Sequence, residues 1–268
     1  MIETGMKSFA LQELQDYKYW FHEYVDSVKS SHPDCREALD VKEEHTLRVC
    51  CEIVDIGTEL GLKNKELLFA EISALFHDVG RFEQYAKYHT FSDYRSENHS
   101  ESGVRILKEK NILKNLNGNT REMMFRVILN HNSASVPPGE ETCLFFSRLL
   151  RDADKLDIWR VMTSAFVNKE DDARKGLAFG LPDTNEISDP IYKSVLERNI
   201  ADVTRLKTLA DYKLLLVGLV YDVNFIPTFR KIKERKYMEM IQRSLPSTEK
   251  FHKLFSIVQD FLDHKINN

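Results

Sequence analysis

The sequence predicts an all-α protein, and three observations support this fold class. Only ten glycines and seven prolines occur in 268 residues, so few positions interrupt regular structure. No run alternates apolar and polar residues as a half-buried strand does, whereas apolar residues recur every three or four positions, as in amphipathic helices. We expect one domain over residues 1–268, made of helices joined by short loops.

The apolar periodicity places the helices in chain order. They are predicted at 8–30, 40–61, 65–79, 98–110, 119–131, 143–166, 190–201, 204–221, 225–243 and 247–264. Two of these starts carry a capping-box spacing, Asn98 with Glu101 and Asn119 with Glu122, in which the cap side chain and the later carboxylate satisfy each other's backbone amides. We therefore expect these two asparagines to be N-caps.

Two stretches lack helical periodicity and are predicted to be irregular. Residues 80–97 are dense in aromatic and basic side chains, and residues 168–189 contain a charge run followed by glycines and a proline. Both could border a pocket. For the second stretch, a solvated loop without a functional role fits equally well.

The overall charge excludes some classes of partner. The chain has 38 basic and 42 acidic side chains, a formal net charge of -4, which argues against binding a nucleic-acid polymer or an anionic membrane but permits a local basic pocket. The first twenty residues lack a secretory pattern, and no apolar run reaches the roughly 18–20 residues of a membrane span. We expect a soluble, cytoplasmic protein.

The cysteines show no metal-binding or disulfide spacing. There is no C-x-x-C pair, so we expect reduced, small buried or half-buried thiols. The four cysteines are Cys35, Cys50, Cys51 and Cys143.

Several histidines and aspartates lie on the predicted apolar stripes. His45 shares a helix face with Val41, Val49, Ile53, Ile56 and Leu60. His131 and Asp154 continue the apolar faces of their own helices at the same spacing, and His99 begins its helix, where a side chain can reach into a neighbouring site. These side chains are therefore predicted to point into the interior.

The pair His77-Asp78 follows a stretch that is apolar on nearly every side, and so it is also predicted to be buried. A buried carboxylate costs several kcal/mol unless it is paired or bound to a metal. Imidazole and carboxylate are ligands for Mn, Fe, Co, Ni and Zn, with Mg also compatible. Consecutive helical positions diverge by about 100°, so the Asp78 carboxylate could bridge two ions while His77 binds one.

The order of these residues resembles a known family. An H, then HD, then a distant D, here His45, His77-Asp78 and Asp154, together with the wording LFHDVGRFEQ and LLRDADKLD, is similar to the HD-domain superfamily of metal-dependent phosphohydrolases. The resemblance covers about residues 40–160 and implies an all-α core of five helices. The helices predicted from the sequence at about 190–264 would form an additional C-terminal extension. It implies that His45, His77, Asp78 and Asp154 bind a first ion.

The same resemblance implies a second ion and a reaction. His99 and His131 lie between the HD pair and the last aspartate, in the order used by two-metal members, so we expect one or two divalent transition-metal ions. The implied reaction is hydrolysis of a phosphomonoester or phosphodiester, with a nucleotide as the expected substrate. Besides Asp78, the basic residues Arg81 and Lys155 are candidates to hold a phosphoryl oxygen or the leaving group.

Two other functions share these residues. The myo-inositol oxygenase type of HD-fold enzyme places two irons on four histidines and two aspartates and uses O2. A nucleotide-binding regulatory module would use the pocket without turnover. Hydrolysis is preferred because phosphohydrolases are the commoner members and because Arg81, Lys87 and Lys155 suit an anionic substrate.

The C-terminal aromatic residues have three interpretations. They could pack onto the core, cap the pocket or form a homodimer contact, and packing is the usual role. These residues are Tyr212, Tyr221, Phe225 and Phe229.

Overall fold

A computed structural model of the chain describes residues 11–167 and 180–268. Across these residues every regular element is helical, which confirms the all-α prediction. The chain divides into two compact units, Met1–Asp154 and Lys155–Asn268. That one domain spans residues 1–268 stays a prediction.

The helices of the first unit precede its end at Asp154. They are α1 (Leu11–Ser31), α2 (Arg36–Glu59), α3 (Asn64–Phe76), α4 (Gly80–Tyr88), α5 (His99–Glu109), α6 (Gly118–His131) and the first part of α7 (Glu141–Val167), with 3-10 turns at Pro33–Cys35 and Asp93–Arg95. The second unit contains the rest of α7, then α8 (Asp189–Leu196), α9 (Leu209–Gly218), α10 (Ile226–Glu234), α11 (Tyr237–Arg243) and α12 (Glu249–Asn267), with 3-10 turns at Val203–Arg205 and Leu219–Asp222.

Aromatic side chains of α1 hold the first unit together. Tyr17 and Trp20 pack edge-on against Phe76 of α3, with ring centroids 5.7 and 5.8 Å apart. Phe21 packs in the same way against Phe82 of α4, at 5.7 Å. Because Phe76 directly precedes the HD pair, this packing fixes the end of α3 from which His77 and Asp78 project.

The segment after the HD pair differs from the prediction. Helix α3 ends at Phe76, so His77 and Asp78 occupy a turn rather than helix 65–79. Residues 80–97, predicted to be irregular, contain helix α4. That helix is only nine residues long and buries Gly80 and Gln84 beside Phe82, so its inner face lacks the apolar repeat that predicts helices.

Gly80 permits a close approach of two helix starts. A Cβ atom added to Gly80 would lie 2.2 Å from the backbone oxygen of His99 and 2.6 Å from the backbone nitrogen of Gly103. Any larger side chain would therefore push α5 away. The glycine brings His99 beside the HD pair.

The two predicted N-caps have different outcomes. The Asn98 side chain accepts hydrogen bonds from the backbone amides of Ser100 and Glu101, as an N-cap does. The prediction for Asn119 is wrong, since α6 begins at Gly118 and Asn117 accepts from the Thr120 amide instead. A second asparagine two residues earlier displaced the boundary.

In the second unit, α7 and α9 meet at a buried tryptophan. The Trp159 indole donates a hydrogen bond to the Leu216 carbonyl oxygen at 2.8 Å and stacks on Tyr237 at 6.2 Å. Phe229 of α10 packs against Phe261 of α12, at 6.0 Å. Tyr212 and Phe229 are buried, as the packing interpretation of the C-terminal aromatic residues requires.

Two further expectations concern this unit. The single helix predicted at 225–243 is wrong, because Lys236 adopts a left-handed backbone that separates α10 from α11. The irregular stretch predicted at 168–189 lies outside the described residues from 168 to 179. In the part of the chain that the structure describes, no helix combines the length and apolarity that a membrane span requires.

Candidate metal centre

Six side chains from four helices and one turn of the first unit converge on one interior point. They are His45 of α2, His77 and Asp78 of the turn after α3, His99 of α5, His131 of α6 and Asp154 of α7. His45, His131 and Asp154 lie on the side of their helix that the apolar spacing indicates, with Val49, Ile53 and Ile56 of α2 fully buried beside His45. We call these six residues the metal centre.

The Asp78 carboxylate divides the metal centre into two sides. Its Oδ2 atom lies 3.5 Å from His45 Nε2 and 3.4 Å from His77 Nε2. Its Oδ1 atom faces the other way, 3.2 Å from His99 Nε2 and 3.8 Å from His131 Nε2. Each oxygen therefore has its own pair of imidazoles, which is the arrangement that a bridging carboxylate needs.

Asp154 completes the first side. Its Oδ1 atom lies 3.2 Å from His45 Nε2 and 3.7 Å from His77 Nε2. The Asp154 side chain is 17% exposed, so it is half-buried rather than buried as predicted. The first side thus has two imidazoles, two carboxylates and a path to solvent.

The second side is formed by His99 and His131. Their Nε2 atoms lie 3.0 Å apart, and both face Asp78 Oδ1. Both residues are buried. Two imidazoles and one carboxylate oxygen therefore make up this side.

Hydrogen bonds from the ring nitrogens that face away from the centre fix the orientation of two imidazoles, those of His77 and His131. His77 Nδ1 donates to the Ala74 carbonyl oxygen at 2.7 Å, and His131 Nδ1 donates to the Ile128 carbonyl oxygen. A carbonyl oxygen only accepts, so Nδ1 carries the hydrogen and Nε2 is the atom directed at the centre.

The electrostatics of the centre favour ionised carboxylates. Burial alone would raise the pKa of Asp78, yet the Lys42 ammonium and His77 hold this pKa well below its usual range. The pKa of Asp154 is also lowered against the effect of burial, here by His45 and His77. The centre therefore presents negative charge to any cation within it.

The centre raises the pKa of one imidazole, that of His77, and lowers the pKa of another, that of His131. Burial lowers the pKa of His77, but the carboxylates of Asp78 and Asp154 outweigh burial and raise it to about 10. Burial, opposed by Asp78 but reinforced by charge on His99 and His77, lowers the pKa of His131 to about 4. The pKa of an imidazole on the first side is thus raised, and the pKa of an imidazole on the second side is lowered.

The donor set fits divalent metal ions. His77 Nε2 is buried and, despite its two carboxylate neighbours, makes no hydrogen bond within the described residues. Ligands at 2.0–2.2 Å from one tetrahedral ion are separated by about 3.3–3.6 Å, close to the 3.2–3.7 Å between donors on the first side. An ion would satisfy atoms that hydrogen bonds do not.

Comparison with known proteins agrees with this geometry. Residues 43–159 match the family model described as HD domain. The chain contains an HD domain. Searches of the curated proteins and of the solved structures gave no match.

The HD-domain match agrees with the resemblance seen in the sequence. Its limits lie within a few residues of the predicted core at 40–160. All six residues of the metal centre fall inside it. The His and Asp groups of this HD domain could hold a divalent metal.

Lys42, which directly precedes the matched residues 43–159, contacts the centre but was not predicted from the sequence. It lies one turn before His45 on α2, and its ammonium forms an ion pair with Asp78 Oδ2. The ammonium also lies 5.7 Å from the centre of the Phe91 ring. The one sequence signal for Lys42 was its position three residues before His45, on the same face of α2. Many surface lysines have the same spacing from a buried residue, so this signal is weak.

Asp93 is a second such residue, behind the second side. Its carboxylate accepts from His99 Nδ1 at 2.7 Å, Gln84 Nε2 at 2.9 Å and Asn132 Nδ2 at 2.7 Å. Burial would raise the pKa of Asp93, but His99 and Arg81 lower it. A carboxylate in this position orients a ligand imidazole and raises its basicity.

The structure places Arg81 beside the centre but engages it with the protein. One guanidinium nitrogen donates to Asp93 at 2.7 Å and to Gln84 at 2.8 Å, and Nε lies 3.5 Å from Asp78 Oδ1. These contacts support the Asp93 carboxylate. That Arg81 contacts a phosphoryl oxygen stays a prediction.

Lys155 belongs to the second unit. Its ammonium pairs with the Asp222 carboxylate at 2.5 Å, at the end of the 3-10 turn Leu219–Asp222. Lys155 is buried. A role for it in substrate binding also stays a prediction.

Proposed function

We propose that the protein is a metal-dependent phosphohydrolase that acts on a phosphomonoester or phosphodiester, with a nucleotide as its substrate class. The proposal is supported mainly by the position of Asp78, whose two carboxylate oxygens each face a different pair of imidazoles. A site with two ions about 3.5–4 Å apart is a recurrent arrangement in phosphatases and nucleases. The HD-domain match supports the same reaction class.

Each side of the centre would hold one ion. His45, His77, Asp78 and Asp154 would bind the first, and Asp78, His99 and His131 would bind the second. Such ions lower the pKa of bound water toward neutrality and neutralise phosphoryl oxygens. The second ion has fewer protein ligands than the first, so we expect it to be bound more weakly.

The protein's own side chains supply positioning and charge. Asp93 holds His99 by its Nδ1 atom and thereby directs Nε2 at the second side. Lys42 places an ammonium beside Asp78 Oδ2, so an anionic group that approaches the first side meets a cation. Lys42 is therefore our candidate phosphoryl-oxygen partner beside the first side, whereas one nitrogen of the Arg81 guanidinium hydrogen-bonds Asp93 and Gln84.

The test combines metal analysis with a substrate panel. Protein stripped of metal and reconstituted separately with Mn, Ni, Co and Mg is assayed against phosphomonoesters, phosphodiesters and nucleotides. The proposal requires one or two equivalents of ion and metal-dependent release of phosphate or of a nucleoside product. Wild-type protein that binds no ion after reconstitution would overturn it.

Asp78→Ala is the decisive variant, since Asp78 serves both sides. It should lose both ions and all metal-dependent hydrolysis. Cys51→Ser, at an exposed thiol of α2 that belongs to none of the proposed ligands, is the control and should retain both. A variant at Asp78 that hydrolyses substrate at the wild-type rate would contradict the assignment of the centre.

The four-histidine, two-aspartate set also supports a second candidate, a di-iron oxygenase. Iron as the ion that co-purifies, an EPR signal of a mixed-valent pair and substrate-dependent O2 consumption would favour it over hydrolysis. Tight nucleotide binding without product formation by either route would instead favour a regulatory module.

A further inference from the structure

A second group of metal-binding side chains lies outside the metal centre. Asp34, Cys35 and His89 each direct one ligand atom to a common point, with the three atoms within 4.8 Å of one another. We call these three residues the thiol cluster. It shares no residue with the metal centre, and 54 positions separate Cys35 from His89 in the sequence.

The spacing of the thiol cluster matches tetrahedral coordination. The Cys35 Sγ atom lies 3.7 Å from His89 Nδ1 and 3.7 Å from Asp34 Oδ2. A zinc ion with Zn–S near 2.3 Å and Zn–N or Zn–O near 2.0–2.1 Å separates sulfur from nitrogen or oxygen by about 3.6 Å in a tetrahedron. Both separations agree with this value.

The local backbone aims each ligand at the cluster. Cys35 ends the 3-10 turn Pro33–Cys35 and is buried, whereas Asp34 and His89 are exposed. His89 ends α4 in a left-handed conformation, with φ 52°, while its amide bonds to the Tyr85 carbonyl oxygen. The Cys35 sulfur is therefore buried, whereas Asp34 and His89 are accessible to solvent. A water molecule can thus occupy a fourth coordination position.

We propose that the thiol cluster binds a zinc ion through Cys35 Sγ, His89 Nδ1 and an Asp34 carboxylate oxygen, with water as the fourth ligand. The Cys35 thiol transfers its proton to solvent as the ion binds, since the thiolate is the ligand form. A soft sulfur ligand separates this site chemically from the metal centre, whose donors are all nitrogen and oxygen. The ion would tie the turn that precedes α2 to the end of α4.

Cobalt provides a readout specific to the thiol cluster. Co²⁺ bound to a thiolate shows a sulfur-to-metal charge-transfer absorption in the near ultraviolet, and Co²⁺ in the metal centre has no sulfur ligand to produce one. Metal-stripped protein titrated with Co²⁺ should develop this absorption until one thiolate-bound ion per chain is present, in addition to the Co²⁺ that the metal centre takes up, and Zn²⁺ should then abolish the absorption by displacement. Titration of the Asp78→Ala variant should give the same absorption, because the two sites share no ligand.

Variants identify the ligands. Cys35→Ser should lose the absorption, and Cys51→Ser, which alters an exposed thiol outside the cluster, should retain it. His89→Gly removes the imidazole while suiting the left-handed backbone, so the fold is preserved. Loss of an outer-shell partner alone costs about 10–100-fold in metal affinity, and loss of the His89 ligand should weaken Zn²⁺ binding at least as much.

Two results would overturn the proposal. One is folded wild-type protein that shows no charge-transfer absorption at saturating Co²⁺. The other is an absorption that persists in Cys35→Ser, which would place the sulfur ligand at another cysteine. Neither result bears on the phosphohydrolase proposal, which depends on the metal centre alone.

Discussion

Replacing Gly80 with alanine should displace His99 and weaken the second ion of the metal centre. The added Cβ atom would lie 2.2 Å from the His99 carbonyl oxygen and 2.6 Å from the Gly103 amide nitrogen. Both neighbours are backbone atoms, so no side chain can rotate to relieve the overlap. Ordinary contact begins near 3.4 Å, and α4 and α5 must therefore separate by about 1.2 Å.

That displacement is large on the scale of metal coordination. Metal–ligand distances vary by about ±0.2 Å, and the His99 Nε2 atom now lies 3.2 Å from Asp78 Oδ1. Whether α4 or α5 moves, this separation changes, since His99 begins α5 and Asp78 precedes α4. We expect the second ion to be lost at concentrations that saturate the wild type, with overpacking also costing about 1–3 kcal/mol of stability.

Gly118→Ala is the matched control. Gly118 begins α6, the helix that carries His131, and a Cβ atom there meets nothing within 4 Å. This variant should bind both ions and be at least as stable as the wild type. Equilibrium dialysis with elemental analysis measures the ions bound, and circular dichroism monitors the fold. A folded Gly80→Ala protein that binds two ions with wild-type affinity would refute the argument.

Three further variants separate the roles of neighbouring residues. His99→Ala should lose the second ion and keep the first, as counted by elemental analysis; loss of no ion would show that the centre holds a single metal. Asp93→Asn should weaken the second ion by about 10–100-fold in a metal titration, because the charged partner of His99 is gone, whereas an equal loss at both ions would point to a general disturbance. Lys42→Met should raise KM for a phosphorylated substrate by about tenfold or more, since hydrogen bonds to charged groups contribute about 1.5–3 kcal/mol, while the metal content stays the same. An unchanged KM would exclude Lys42 from substrate binding.

Apolar spacing within single helices was enough to predict much of the fold. His45, His131 and Asp154 each continue a stripe whose central members are buried, because a helix that packs by one face turns the side chains of that face inward. The same reasoning failed for α4, where close packing depends on Gly80 rather than on a repeat of large apolar residues. It also failed at Lys236, whose left-handed backbone leaves no periodic signal.

The supporting contacts of the centre depend on tertiary structure that no local pattern encodes. Asp93 lies in a short turn without periodicity, and it reaches His99 because the Gly80 contact holds the start of α5 near α4. Lys42 has the sequence context of a surface lysine, yet the turn after α3 places the Asp78 carboxylate against its ammonium.

A histidine of the centre can therefore be predicted from the sequence when it interrupts an apolar stripe. A residue that hydrogen-bonds such a histidine, as Asp93 does, cannot be predicted in this way, because charged residues are common in loops. For the proposed centre, we expect Asp93 to affect how firmly the second ion is held, because an imidazole left to rotate loses affinity that a fixed one retains. Asp93 acts only on the second side and Lys42 only on the Oδ2 atom of Asp78. A change at Asp93 should therefore alter the second ion without altering the first, even though one carboxylate serves both sides.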